Sequence, residues 1–179
     1  LINPVSGQKD AVEIVNPQSG GDWTVYVTRE RFDVTERPQL KFRYRVGSGV
    51  LVNLYVKVGG RWREIAWTGN MVTLPQRATG VKVPPKTDIP DMGLGADLYV
   101  GTNIGSIEGV ATDAQWHTAT FDLRATLKKA GLPTGVEALA FAAPDRDYLR
   151  CGIGGNHLGA KYEIADFDAP LVARVANSQ

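Results

Sequence analysis

Arg43 and Arg45, followed by Asn53, Tyr55, Lys57, Trp62 and Glu64, are of the side-chain types that meet a ligand rich in hydroxyl groups. A flat aromatic ring covers an apolar C–H face, while planar guanidinium, amide and carboxylate groups make paired hydrogen bonds to neighbouring hydroxyls. Trp62 with Tyr55 would form the platform, and Arg43, Arg45, Asn53 and Glu64 the hydrogen-bonding set. The same residues also suit a solvated sheet face, on which Arg–Glu and Lys–aromatic pairs simply cover the strands.

The elements that must position them are strands. Gln39–Val46 alternates, with Leu40, Phe42, Tyr44 and Val46 on one side and Gln39, Lys41, Arg43 and Arg45 on the other. Period two with a single apolar face marks a half-buried antiparallel strand. Val50–Val58 and Arg61–Thr68 are joined by Gly59-Gly60, a pair suited to a type I′ or II′ turn because such turns need positive φ. That turn sets Val58 opposite Arg61, Leu54 opposite Ile65 and Val52 opposite Trp67. The other side pairs Asn53 with Ala66, Tyr55 with Glu64, and Lys57 with Trp62. Laid beside this hairpin by its core face, Gln39–Val46 adds Arg43 and Arg45 to the same outward side. A slip of one residue would move a whole strand's set to the opposite face.

Further strands are expected at Val12–Val15, Thr24–Thr28, Asp97–Val100, Ile104–Val110, Trp116–Asp122, Val136–Ala142, Leu149–Ile153 and Lys161–Asp168. Only Arg124–Ala130 reads as a helix, with Asp122 as its N-cap and Gly131 and Pro133 ending it. About ten short strands and one short helix give an all-β fold, an antiparallel β-sandwich or barrel. The 179 residues suit one domain with a core over about 10–170. Residues 71–95 hold four of the ten prolines and no convincing strand, so this segment is either a shaped rim loop or a surface excursion.

Composition excludes several classes. Lys+Arg 20 against Asp+Glu 19 gives a net charge of +1, without the basic surplus on which nucleic-acid binding depends. Apolar runs fall short of the ~18–20 residues that a membrane helix requires. The single Cys151 forms no internal disulfide and no zinc cage. Residue 1 is Leu and no basic, then apolar, leader follows, as expected of a mature segment or an excised module.

Other constellations are weaker. His117 and His157 lack a metal-ligand partner at i+2 or i+4. The glycine-rich run 152–159 lacks the order and the following helix of a phosphate cradle, so Asn156 and His157 read as a turn before a ligand rim. Glu163-Ile164-Ala165-Asp166-Phe167-Asp168 is superficially similar to the Glu-x-Asp-x-x-Glu strand of laminarinase-like glycosidases. On a regular strand Glu163 points away from Asp166 and Asp168, so an acid and a nucleophile would not share a face without a bulge. The chain is therefore read as non-catalytic.

Four stretches resemble the galactose-binding-like jelly-roll domains, the fold of many carbohydrate-binding modules attached to bacterial glycan-active enzymes. Arg31-Phe32-Asp33-Val34 with Leu40–Val46 is similar to a lead into an "F-x-Y-R" strand, and Asn53–Trp62 to the central hairpin. Asp113-Ala114-Gln115-Trp116-His117 through Phe121-Asp122-Leu123 is similar to a "D-G-x-W-H-x-x-x-F-D-L" segment. Tyr162–Phe167 is similar to a closing strand written "Y-x-I-D-D-F". The resemblance implies a non-catalytic module that binds a polysaccharide or oligosaccharide, extracellular or at a cell surface, and tethered to other domains. It also implies one structural Ca²⁺, with Glu13 and Asp166 by position and backbone carbonyls of residues 16–22 completing the oxygen set. Ala165 departs from the pattern, standing where the first of two acidic residues is expected. The alternative is an interaction or structural module whose sheet face and 71–95 loop dock a protein partner.

Overall fold

A computed structural model describes residues 2–16, 25–28, 30–69, 103–142 and 156–168. The expected strands at Asp97–Val100 and Leu149–Ile153, the 71–95 loop and Cys151 lie outside these residues. The strands in chain order are β1 (Ile2–Pro4), β2 (Val12–Val15), β3 (Val25–Thr28), β4 (Phe32–Asp33), β5 (Gln39–Gly47) and β6 (Asn53–Val58). They continue with β7 (Arg61–Ala66), β8 (Asn103–Ser106), β9 (Asp113–Asp122), β10 (Gly135–Val136), β11 (Ala138–Ala142) and β12 (Lys161–Asp168). Helix α1 spans Leu123–Lys129, its N-cap Asp122 accepting from the Ala125 amide at 2.8 Å.

Two five-stranded sheets form an all-β sandwich. The first has the order β1-β2-β12-β5-β9 and is antiparallel throughout; the second has the order β3-β11-β6-β7-β8, with β8 added parallel to β7. Strands β4 and β10 pair separately. Between the sheets, β5 contributes Leu40, Phe42, Tyr44 and Val46, and the second sheet contributes Leu54, Val56, Val58, Ile65, Leu139 and Phe141. Aromatic rings tie the layers together. Phe42 lies 5.8 Å from Trp67, 5.7 Å from Phe141 and 5.2 Å from Phe167, the last pair stacked.

The hairpin register is the expected one: Val58 pairs with Arg61, Lys57 with Trp62, Tyr55 with Glu64 and Leu54 with Ile65. Gly59 and Gly60 have φ of +57° and +75°, the left-handed conformations that a type I′ turn demands. The position of β5 differs from expectation. It pairs with β12 and β9 in the opposite sheet, not with the hairpin. Its alternation shows which side faces the core, but both sheets of a sandwich offer a core side, and period alone does not choose between them. The single outward face expected to join Arg43 and Arg45 to Tyr55 and Trp62 is therefore two faces on opposite sides of the molecule.

Candidate functional site

On the outer side of the second sheet, Tyr55, Trp62, Ala138, Ala140 and Ala142 form a second buried cluster, with Tyr26 packed against it. Trp62 is 6% exposed and Tyr55 fully buried, and the Tyr26 and Trp62 rings meet edge to face at 6.0 Å. The two rings are on the expected side of the sheet, but they are interior side chains and not an open platform. Asn53 is also buried. Its Oδ1 accepts from the backbone N–H groups of Trp67 at 2.8 Å and Gly69 at 3.0 Å. It thus holds the chain where it leaves β7 and satisfies amides beyond the strand pairing.

Glu64 is 7% exposed and accepts from Asn103 Nδ2 at 3.0 Å and from the Tyr55 hydroxyl at 3.3 Å. Burial pushes its carboxyl above the ordinary value of 4.5, against the opposing effect of these hydrogen bonds. The unfolded chain ionises Glu64 near 4.5, whereas the folded chain keeps the proton to higher pH. Its contribution to stability is thus complete below the unfolded value and is lost as pH rises through the folded one. Glu64→Gln keeps an acceptor for Asn103 and removes that loss. The variant is expected to melt with wild type at about pH 4 and above it at about pH 7, by roughly 2–4 °C for each kcal/mol released. A variant melting at or below wild type at neutral pH would contradict the assignment.

Arg43 and Arg45 lie on the outer face of the first sheet, and there they meet a residue that the sequence reading left unassigned. Register sets Arg45 opposite Trp116 and Arg43 opposite Thr118 on β9. The two guanidinium carbons stand 4.9 Å (Arg43) and 5.2 Å (Arg45) from the centre of the half-buried Trp116 ring, within cation–π range. The signal was in the alternation of β9: His117, Ala119 and Phe121 share one parity, while Trp116 shares the other with Thr118 and Thr120. An indole on the hydrophilic side of a strand is the feature to notice.

Each arginine is held from β12. Arg45 makes a two-point hydrogen-bonded ion pair with Glu163 through Nε and a terminal nitrogen. Glu163 is only 4% exposed, so it lies beneath the guanidinium and fixes it, and the bond makes Arg45 harder still to deprotonate. Arg43 donates to Asp166 at 3.0 Å and to Gln8 at 3.3 Å. The Asp166 contact depends on a break in β12. The register with β5 shifts between Ala165 and Asp168, and Asp166 has a φ of +50°. This bulge turns Asp166 to the same face as Glu163, and so corrects the alternation argument used against a carboxylate pair. Both carboxylates of this pair are bound to guanidinium groups of β5.

Glu13 accepts from Lys161 at 2.7 Å and from Asn3 at 3.4 Å, and the Lys161 bond holds its carboxyl below the ordinary value. Glu13 is paired with Lys161 and Asp166 with Arg43, so a calcium ion held by these two carboxylates would have to displace a cation of the protein from each. Most of the 16–22 segment lies outside the described residues. Among the described residues no three His, Cys, Asp or Glu side chains gather around a common point. Melting in excess EDTA is expected to match melting in millimolar Ca²⁺; a calcium-dependent rise of several degrees would restore the site.

The histidine and glycine-run residues have structural partners. His117 bonds Asp113 at 2.8 Å. The Asn156 side chain accepts from the Leu51 N–H and donates to the Leu51 carbonyl, both at 2.8 Å, bridging two segments as a strand neighbour would.

No family model, curated protein or solved structure matches the chain.

Proposed function

We propose that this protein is a non-catalytic carbohydrate-binding module whose site is the outer face of the first sheet, centred on Trp116, Arg43 and Arg45. The observation that carries the reading is an indole on the solvent side of β9 flanked by two guanidinium groups, each held in place by a carboxylate of β12. The ring supplies a surface for a sugar's C–H face, and the arginines supply directed donors for its hydroxyls. Immobilising these donors in advance lowers the ordering cost of binding. An open cleft of about 350 Å³ beside Arg45, Gly47, Ala114, Lys161 and Glu163 gives the face concavity. The resemblance to galactose-binding-like jelly rolls supports the same reading, since Trp116 belongs to one of the segments that carry it, and it supports an extracellular or cell-surface module tethered to other domains.

Asn53, Tyr55, Trp62 and Glu64 serve here as structure, and the ligand set contracts to Arg43 and Arg45 with Trp116 added. Affinity electrophoresis through gels containing plant and algal polysaccharides tests the function. Retardation by at least one polymer is expected. Unchanged mobility in all of them, together with concentration-dependent dimerisation, would favour a protein-docking module instead.

A further inference from the structure

We infer that the ligand of this face is an uncharged glycan chain laid across the strands, an inference that rests on the binding function proposed above. Charge is compensated locally along the face. Arg43 is paired with Asp166 at 3.0 Å, Arg45 with Glu163, and Lys161 with Glu13 at 2.7 Å. An acidic polymer would have to compete with these carboxylates for every cation, and would face three negative groups fixed among its targets. A neutral polyol meets no such opposition. Guanidinium donors and carboxylate lone pairs lie side by side, the arrangement that two adjacent hydroxyls, each both donor and acceptor, can satisfy together.

Direction follows from the cleft, whose lining passes from Ala114 of β9 by Arg45 and Gly47 of β5 to Lys161 and Glu163 of β12, and register extends the same row over the sheet. Asn3 pairs with Glu13, Glu13 with Glu163, Glu163 with Arg45, and Arg45 with Trp116. One residue from each strand of the sheet thus falls on a single line across it. With neighbouring strands ~4.8 Å apart, that line is about 19 Å long. Glu163 lies buried along it as the support for Arg45, while Trp116 at one end and Asn3 at the other remain accessible. A chain following this line would touch the ring and the cleft first, and Asn3 of β1 only when it is long enough.

The test is titration calorimetry with galactomannan, mixed-linkage β-glucan, alginate and polygalacturonate, at about 50 and about 500 mM NaCl, a range that shortens the Debye length several-fold. Wild type is expected to bind a neutral polymer with Kd changing by less than about twofold between the two salts, as for an interaction without net charge transfer. It is expected to bind neither acidic polymer comparably. Preference for an acidic polymer, with Kd rising tenfold or more in high salt and still lost in Trp116→Ala, would overturn the ligand class while keeping the site. Binding that Trp116→Ala does not weaken would overturn the site itself. For direction, Asn3→Ala is expected to weaken long oligosaccharides of the bound polymer severalfold and leave the shortest that binds unchanged. Equal loss at both lengths would overturn the across-strand path.

Discussion

Trp116→Ala is expected to lower polysaccharide affinity about thirtyfold, or ~2 kcal/mol, while leaving the melting temperature nearly unchanged. The size follows from the ring's position. It is the one large aromatic surface on the outer face of the first sheet among the described residues, and both arginines are arranged around it. Removing it deletes the stacking surface and the cation–π partner of both guanidinium groups, so the loss exceeds one contact. Stability should be spared because Trp116 is only half buried and belongs to neither hydrophobic cluster. Trp62→Ala gives the opposite pattern: a clear fall in melting temperature, with binding retained in whatever fraction remains folded. If both variants bind polymer as wild type does, the ligand is held elsewhere. If Trp62→Ala alone abolishes binding in a folded protein, the second sheet carries the site.

Phe42→Ala is expected to cost about 3–5 kcal/mol of stability, through lost burial and the cavity left behind. Phe42 is 1% exposed and sits where both layers converge: its ring meets Trp67 beyond β7, Phe141 of β11 and Phe167 of β12. No small rearrangement of one sheet fills the gap, because its walls belong to both. Against a total stability of about 5–15 kcal/mol this is a large share, and the melting temperature should fall by roughly 6–20 °C. A loss below about 1 kcal/mol in chemical denaturation would contradict this account of the core.

The hairpin register from Val58–Arg61 to Leu54–Ile65 was legible in the sequence because its information is local, although the strands start later and end earlier than the expected Val50 and Thr68. Two glycines that take positive φ without steric cost fix the turn, and the turn fixes the pairing. The α1 cap was legible for the same reason, Asp122 being three residues before the amide it serves. Failure began where the decision was not local. Which sheet receives β5 depends on pairing with β12, more than a hundred residues away. The burial of Tyr55 and Trp62 depends on what covers the outer side of the second sheet, which no alternation pattern records. Strands β1 and β4, three and two residues long, are too short to show a period. Trp116 is a different kind of miss: its parity was readable, and a hydrophilic strand side carrying an indole was the available sign.

The irregularity in β12 shifts the phase of that strand partway along its length. Before it, Tyr162 and Ile164 point inward and Glu163 outward; after it, Phe167 turns in to stack on Phe42 while Asp166 turns out to Arg43. Eight residues are therefore written in two successive reading frames of inside and outside, joined at one strained backbone position. Flattening the bulge with all eight residues kept would leave the composition unchanged, yet drive a carboxylate against the aromatic interior and a phenyl ring into water. Binding face and core thus share a single point of dependence, and neither can be re-registered without the other.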